Sequence, residues 1–182
     1  MIQKLKDIHF TANLHFRNKD VAIARGFDNV EAMEESIINQ WNTQVKPDDT
    51  IYILGGFCSI VKGALQSYMN LVYELNGHKH FVLSSEDHMD TFNQMMADKN
   101  LGIESVSQYK EIMFLKQKVV LMHYPMLEWP GMSGVRGSVH LHGGKLNSHE
   151  DIKRINISYE QEMKLYTAED ILHSITSKQS SD

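Results

Sequence analysis

The stretch Asp48-Asp49-Thr50-Ile51-Tyr52-Ile53-Leu54-Gly55-Gly56-Phe57 decides how this chain is read. Lys46-Pro47-Asp48-Asp49 is a turn. Thr50 to Leu54 is a short run rich in β-branched and aromatic residues, and two glycines end it. It reads as a buried strand that carries a Gly-rich turn to a site. The position expected to hold a working side chain is a second glycine, Gly56.

Outward from this stretch, strands and helices alternate. Residues 5–10 read as a first strand, and Thr11 to Asp20 as a polar loop. Asn29 is placed to cap a helix whose first turn is acidic. Val30, Met33, Ile37, Ile38 and Trp41 fall on one face of it. Residues 60–75 read as a helix stopped by Asn76-Gly77, residues 80–83 as a strand, and 88–100 as another helix. Strands follow strands after that: 109–115, 118–123, 139–142 and 155–159. A closing helix, 168–175, has Thr167 as its cap, and residues 176–182 form a polar tail. The pattern predicts one domain over residues 1–175, a layered α-β-β-α sandwich with central mixed sheets flanked by helices.

Composition excludes several classes. The 182 residues carry a formal charge of −5, which does not suggest a nucleic-acid binder. No apolar run approaches the roughly 20 residues of a membrane span, and the N-terminus lacks a signal-peptide core. The single cysteine, Cys58, fits a reducing compartment, so a cytoplasmic protein is the expectation. Ten histidines raise the question of metal, and eleven methionines that of an adaptable surface.

The order of segments resembles the calcineurin-like metallophosphoesterases, especially their short bacterial and phage forms, from about residue 8 to 172. Arg25-Gly26-Phe27, Val30-Glu31-Ala32-Met33, Trp41-Asn42 and Asp48 to Gly55 match that family's "RPF…EEM…WN…DTVYxLGD" in order. Leu75-Asn76-Gly77, Leu121-Met122-His123-Tyr124-Pro125 and Leu141-His142-Gly143 follow. The resemblance implies a two-metal site at the strand ends, built from D-x-H, G-D, G-N-H-D, H and G-H-x-H segments. On this chain the first falls on Asn13-Leu14-His15 and the second on Gly55-Gly56. The third falls on Ser84-Ser85-Glu86-Asp87, so Ser85 replaces the Asn ligand and Glu86 the catalytic His. The strand-end His is His123. The last segment falls on Gly143-Gly144-Lys145-Leu146, where both histidines are lost. Of the implied ligands, only His15 and His123 keep the family residue.

The consequences are chemical. Two cations about 3.5–4 Å apart need a bridging carboxylate, and Gly56 offers only backbone. Asn13 lacks the charge, Ser85 is a weak ligand, Gly144 and Leu146 are none, and Lys145 repels a cation. Without metal, water keeps a pKa of about 15.7 rather than about 7. Glu86 and Asp87 then stand at degenerate catalytic positions, and no cofactor is expected. The alternative is a divergent phosphodiesterase or nucleotide hydrolase with one divalent ion, Zn or Mn, held by His15, His123, His140 and His142. A third option is a phosphate or nucleotide held without cleavage by Asn13, His15, Ser84, Ser85, His123 and Lys145. The loop over residues 126–139, with Met126, Leu127, Trp129 and Met132, is the candidate for contact with a protein partner, or else lies over the old pocket. The sequence therefore predicts an inactive phosphoesterase homologue that works by binding. By analogy with phage proteins, its target would be a host enzyme.

Overall fold

The computed structural model describes residues 7–59, 64–114, 116–133, 137–145 and 153–179. Its strands are β1 (Ile8–Thr11), β2 (Thr50–Ile53), β3 (His78–Val82), β4 (Ile103–Ser107), β5 (Lys110–Phe114), β6 (Gln117–Leu121), β7 (Val139–His142), β8 (Arg154–Asn156) and β9 (Tyr166–Thr167). Its helices are α1 (Lys19–Ala24), α2 (Val30–Gln44), α3 (Leu65–Glu74), α4 (Met89–Met96), α5 (Tyr159–Glu162) and α6 (Ala168–Gln179). Two mixed sheets result. One has the order β4-β3-β2-β1-β9 and the other β5-β6-β7-β8. β1 to β4 run parallel with β9 antiparallel, and β6 to β8 run parallel with β5 antiparallel.

The period-2 alternation of the strands sorts two cores. Ile51, Ile53 and Phe81 face Met33, Ile37 and Trp41 of α2, with Tyr68, Leu71, Phe92 and Met95 of α3 and α4. Phe10, Leu54 and Val82 face the other way, against Val119, Leu121, Val139, Leu141 and Ile155 of the second sheet. Ala168, Ile171 and Ile175 of α6 join this inter-sheet core. The architecture is the layered α/β sandwich that the sequence predicts.

Local chemistry explains the boundaries. The side chain of Asn29 accepts from the Ala32 amide and caps α2. At α6, Thr167 and Asp170 exchange bonds: the Asp170 amide donates to Thr167 Oγ1, and the Thr167 amide and hydroxyl both donate to Asp170 Oδ2. Trp41 is fully buried and donates to the Asn76 carbonyl at 2.9 Å. Asn42 beside it donates to Glu74 O and accepts from the Asn76 amide, so Trp41-Asn42 pins α2 to the end of α3.

Some expectations are corrected. The polar stretch expected as loop to Asp20 already contains the start of α1, capped by Asn18, whose side chain accepts from Val21. The expected 88–100 helix is α4 followed by a separate 3-10 turn at Lys99–Leu101, which ends on left-handed Gly102. The backbone of α6 stays helical to Gln179, past the tail boundary expected at 175. Residues 60–63 of the predicted third helix lie outside the described residues.

Candidate functional site

The loops that follow β1, β2, β3, β6 and β7 meet at one edge, and hydrogen bonds show how. The first two run side by side: Asn13 N donates to Gly55 O at 2.9 Å, His15 N to Gly56 O at 2.8 Å and Phe16 N to Phe57 O at 3.0 Å. The first loop pays for this course with positive φ at Asn13 (57°), His15 (54°) and Arg17 (63°). Arg25 spends Nη1 on Leu14 O and Nη2 on Asn13 O, which holds that strained backbone.

The third loop is tied in by Asp87. Its carboxylate accepts from Ser84 N at 2.8 Å, Ser84 Oγ at 2.7 Å, Gly56 N at 3.1 Å and Phe57 N at 3.2 Å. Asp87 is thus a clamp between two loops. Glu86 and Ser85 are exposed, and the Ser85 amide donates to the hydroxyl of Tyr124 at 2.8 Å.

His123 closes the site from the second sheet. Its Nδ1 lies 2.8 Å from Leu54 O, which fixes the tautomer with a proton on Nδ1. Its carbonyl accepts from both Gly143 N and Gly144 N. A Cβ on Gly55 would lie 2.5 Å from His123 Nδ1, and one on Gly143 would lie 2.4 Å from Ala12 Cβ. The glycines therefore allow five loops to approach within contact distance. Lys145 is exposed at the rim, and Leu146 lies outside the described residues.

The space that a side chain at 56 would need is taken by Asn13. Gly56 has φ +62°, and a Cβ there would stand 2.5 Å from Asn13 Oδ1 and 3.2 Å from His15 Cε1. Asn13 is turned this way because its Nδ2 donates to Gly143 O at 2.7 Å and to Ser158 Oγ at 2.9 Å. An aspartate at 13 has no hydrogen to offer either acceptor. Asn13 and Gly56 are therefore mutually fitted. His15 is partly buried with Glu160 Oε1 3.8 Å from Nε2. Burial lowers its pKa, opposed by Glu160 and, more weakly, by Glu86 and Asp87.

His140 and His142 do not face this site. Val139 and Leu141 point into the inter-sheet core, so the intervening histidines occupy the opposite face of β7. Both are fully buried there. His140 Nε2 accepts the Met126 amide proton at 3.0 Å while Nδ1 lies 3.1 Å from Val120 O. His142 bonds through Nδ1 to Gly144 O at 3.0 Å and leaves Nε2 without a partner. Among the described residues, no three His, Cys, Asp or Glu side chains come together to hold one ion. The four-imidazole arrangement of His15, His123, His140 and His142 is not formed.

In the expected contact loop, residues 126–132 are tied to the outer face of the second sheet. Trp129 is 6% exposed, packs on His140 at 5.3 Å and donates from Nε1 to Ser138 O at 3.1 Å. Arg154 donates to Met126 O, and Lys153 to Met132 O. Met126 and Met132 are half-buried, and only Leu127 of the four stands free, 76% exposed. Trp129→Phe keeps the ring contact and deletes the indole donor. It is expected to cost about 1 kcal/mol in urea unfolding, and Leu127→Asp less than about 0.5 kcal/mol.

No protein-family model matches the chain. An 85-residue segment is 28% identical to the uncharacterized protein MJ1445 of Methanocaldococcus jannaschii. That match covers 46% of this chain and 48% of the relative, about half the length of each. A described archaeal phosphodiesterase superposes with TM-score 0.48 at 12% identity, over 83% of this chain and 81% of its own. The protein of unknown function AQ665 from Aquifex aeolicus superposes with TM-score 0.66 at 18% identity, over 91% of this chain and 97% of its own. The chain has the fold of that protein, a sandwich of two mixed sheets flanked by helices.

Proposed function

We propose that this chain is a phosphoesterase-type scaffold without two-metal hydrolytic activity, and that it acts by binding a protein partner. The observation that carries this reading is the fit of Asn13 against Gly56: the place of a bridging carboxylate is taken by a carboxamide already committed to two other loops. The committed state of Ser84 and of Asn13 Nδ2 also argues against a captured phosphate, as do the carboxylates of Glu86, Asp87 and Glu160 around His15. No helix among the described residues is long and apolar enough to cross a membrane.

The test combines metal analysis with turnover of bis-p-nitrophenyl phosphate in Mn²⁺. The expected result is no stoichiometric metal and no turnover above free Mn²⁺. One tightly held ion per chain, with turnover lost in His123→Ala, overturns the proposal in favour of a one-metal hydrolase. Gly56→Asp, alone or with Asn13→Asp, is expected to restore nothing. Gly56→Asp alone is expected to lower stability by about 2 kcal/mol, since it forces a side chain onto positive φ and against Asn13. Thermal unfolding checks that cost.

A further inference from the structure

A second group of reactive side chains sits away from the strand-end loops, where the two sheets adjoin. Between β3 and β4 the register slips by one residue: Lys79 is opposite Ile103, and His80 opposite Ser105. Glu104 is the extra residue of this bulge, a device that re-aims side chains. Ser105 Oγ consequently lies 2.8 Å from His80 Nδ1. Lys110, at the start of β5 in the other sheet, brings Nζ to 3.0 Å from the same oxygen. Ser105, His80 and Lys110 are all only half-buried, so solvent reaches the group. The imidazole is held flat against Tyr52, with centroids 4.7 Å apart and planes 13° from parallel, and Tyr52 stacks in turn on Phe10.

An ammonium only donates, so Lys110 donates a hydrogen bond to Ser105 Oγ, and the hydroxyl hydrogen points to His80 Nδ1 in the tautomer that carries its proton on Nε2. Burial, then the charge of Lys110, pushes the His80 pKa down to about 4, against the opposing pull of Glu104, with His78 lowering it further. A neutral ring leaves Nδ1 able to take the hydroxyl proton. A nucleophile at hydrogen-bond distance from a base, with that base oriented by a third group, is the arrangement that nucleophilic catalysis uses.

We propose that Ser105 is a nucleophilic site for small activated esters, with His80 as its proton acceptor and Lys110 as the cation that stabilises the developing oxyanion. With an alkyl fluorophosphonate, an Oγ–P bond forms and the P–F bond breaks. Fluoride leaves, and the hydroxyl proton passes to His80 Nδ1 and on to water. The step requires no metal and is independent of the strand-end reading.

The experiment incubates the purified full chain with a fluorophosphonate in the presence of a chelator and locates the adduct by peptide mass spectrometry. Ser105 is expected to label at least about tenfold faster than any other serine. Ser105→Ala is expected to abolish the adduct, and His80→Gln to slow it about a hundredfold at an unchanged melting temperature. Uniform labelling of serines, or unchanged labelling in folded His80→Gln, overturns the proposal and leaves the contact as an inter-sheet tie. Should His80→Gln fail to fold, the relative rates among serines in the intact protein still decide.

Discussion

Asp87→Ala is expected to lower the free energy of unfolding by about 3–5 kcal/mol. The residue is 7% exposed, and its carboxylate accepts four hydrogen bonds from two different loops. Truncation leaves the amides of Gly56, Phe57 and Ser84, with the Ser84 hydroxyl, facing one another without an acceptor. Each such buried donor costs about 1–3 kcal/mol unless water reaches it. The loss is a large share of the roughly 5–15 kcal/mol available to a domain. Asp87→Asn keeps the shape and one oxygen but turns an NH₂ toward donors, so an intermediate loss is expected. Urea unfolding followed by circular dichroism checks both, with the midpoint falling and the slope unchanged. A loss below about 1 kcal/mol for the alanine variant means that other contacts hold these loops. Asp87 fastens the loops that the site is made of.

The sequence disclosed the frame because its signals are local. Asn29 before an acidic turn and Thr167 three positions from Asp170 are caps that need no tertiary information, and both are present. The six residues of α1 were missed because so short a helix presents less than two turns of apolar spacing. The facing of His140 and His142 was illegible for a different reason. Every residue of β7 is buried, so the strand has no polar side to betray which face meets the inter-sheet core. That answer lies in Phe10 and Leu121, far away in sequence. The internal socket of Trp129 was illegible for a similar reason: Ser138 and His140 supply it, and a tryptophan among glycines gives no sign of them. That Gly56 brings no side chain to the site was legible. The compensating turn of Asn13 toward Gly143 and Ser158 was not, because it joins residues 130 and 145 positions apart.

Acidification is expected to destabilise this protein well before its carboxylates titrate. Burial holds His142 near a pKa of about 4, and the same cause, helped by Lys110, holds His80 at about 4. The pKa values of His15 and His140 are also lowered, in both cases mainly by burial. Around His142 the charge of Arg154, and of His140 and His123 wherever they are protonated, opposes its protonation, and only the bond to Gly144 O favours it. The sign follows from linkage. An unfolded histidine titrates near 6.5, so between that value and the folded value the unfolded chain binds more protons. Stability is therefore complete above about pH 6.5 and is lost as pH falls toward 4. His142, with no exposed surface, contributes on the order of 3 kcal/mol to that loss. Half-exposed His80 adds a smaller amount, because solvent screens it. Urea midpoints at pH 7.0 and 4.5 measure the total, and a difference under about 1 kcal/mol overturns the expectation. His142→Gln separates the components. It keeps a donor for Gly144 O but cannot titrate, so its stability is expected to fall less steeply over this window by about one proton. If the variant instead retains the full wild-type slope, the uptake belongs to His15, His80 and His140. The unpartnered Nε2 is the reason to expect otherwise: it is a buried acceptor that water must reach before His142 can be charged.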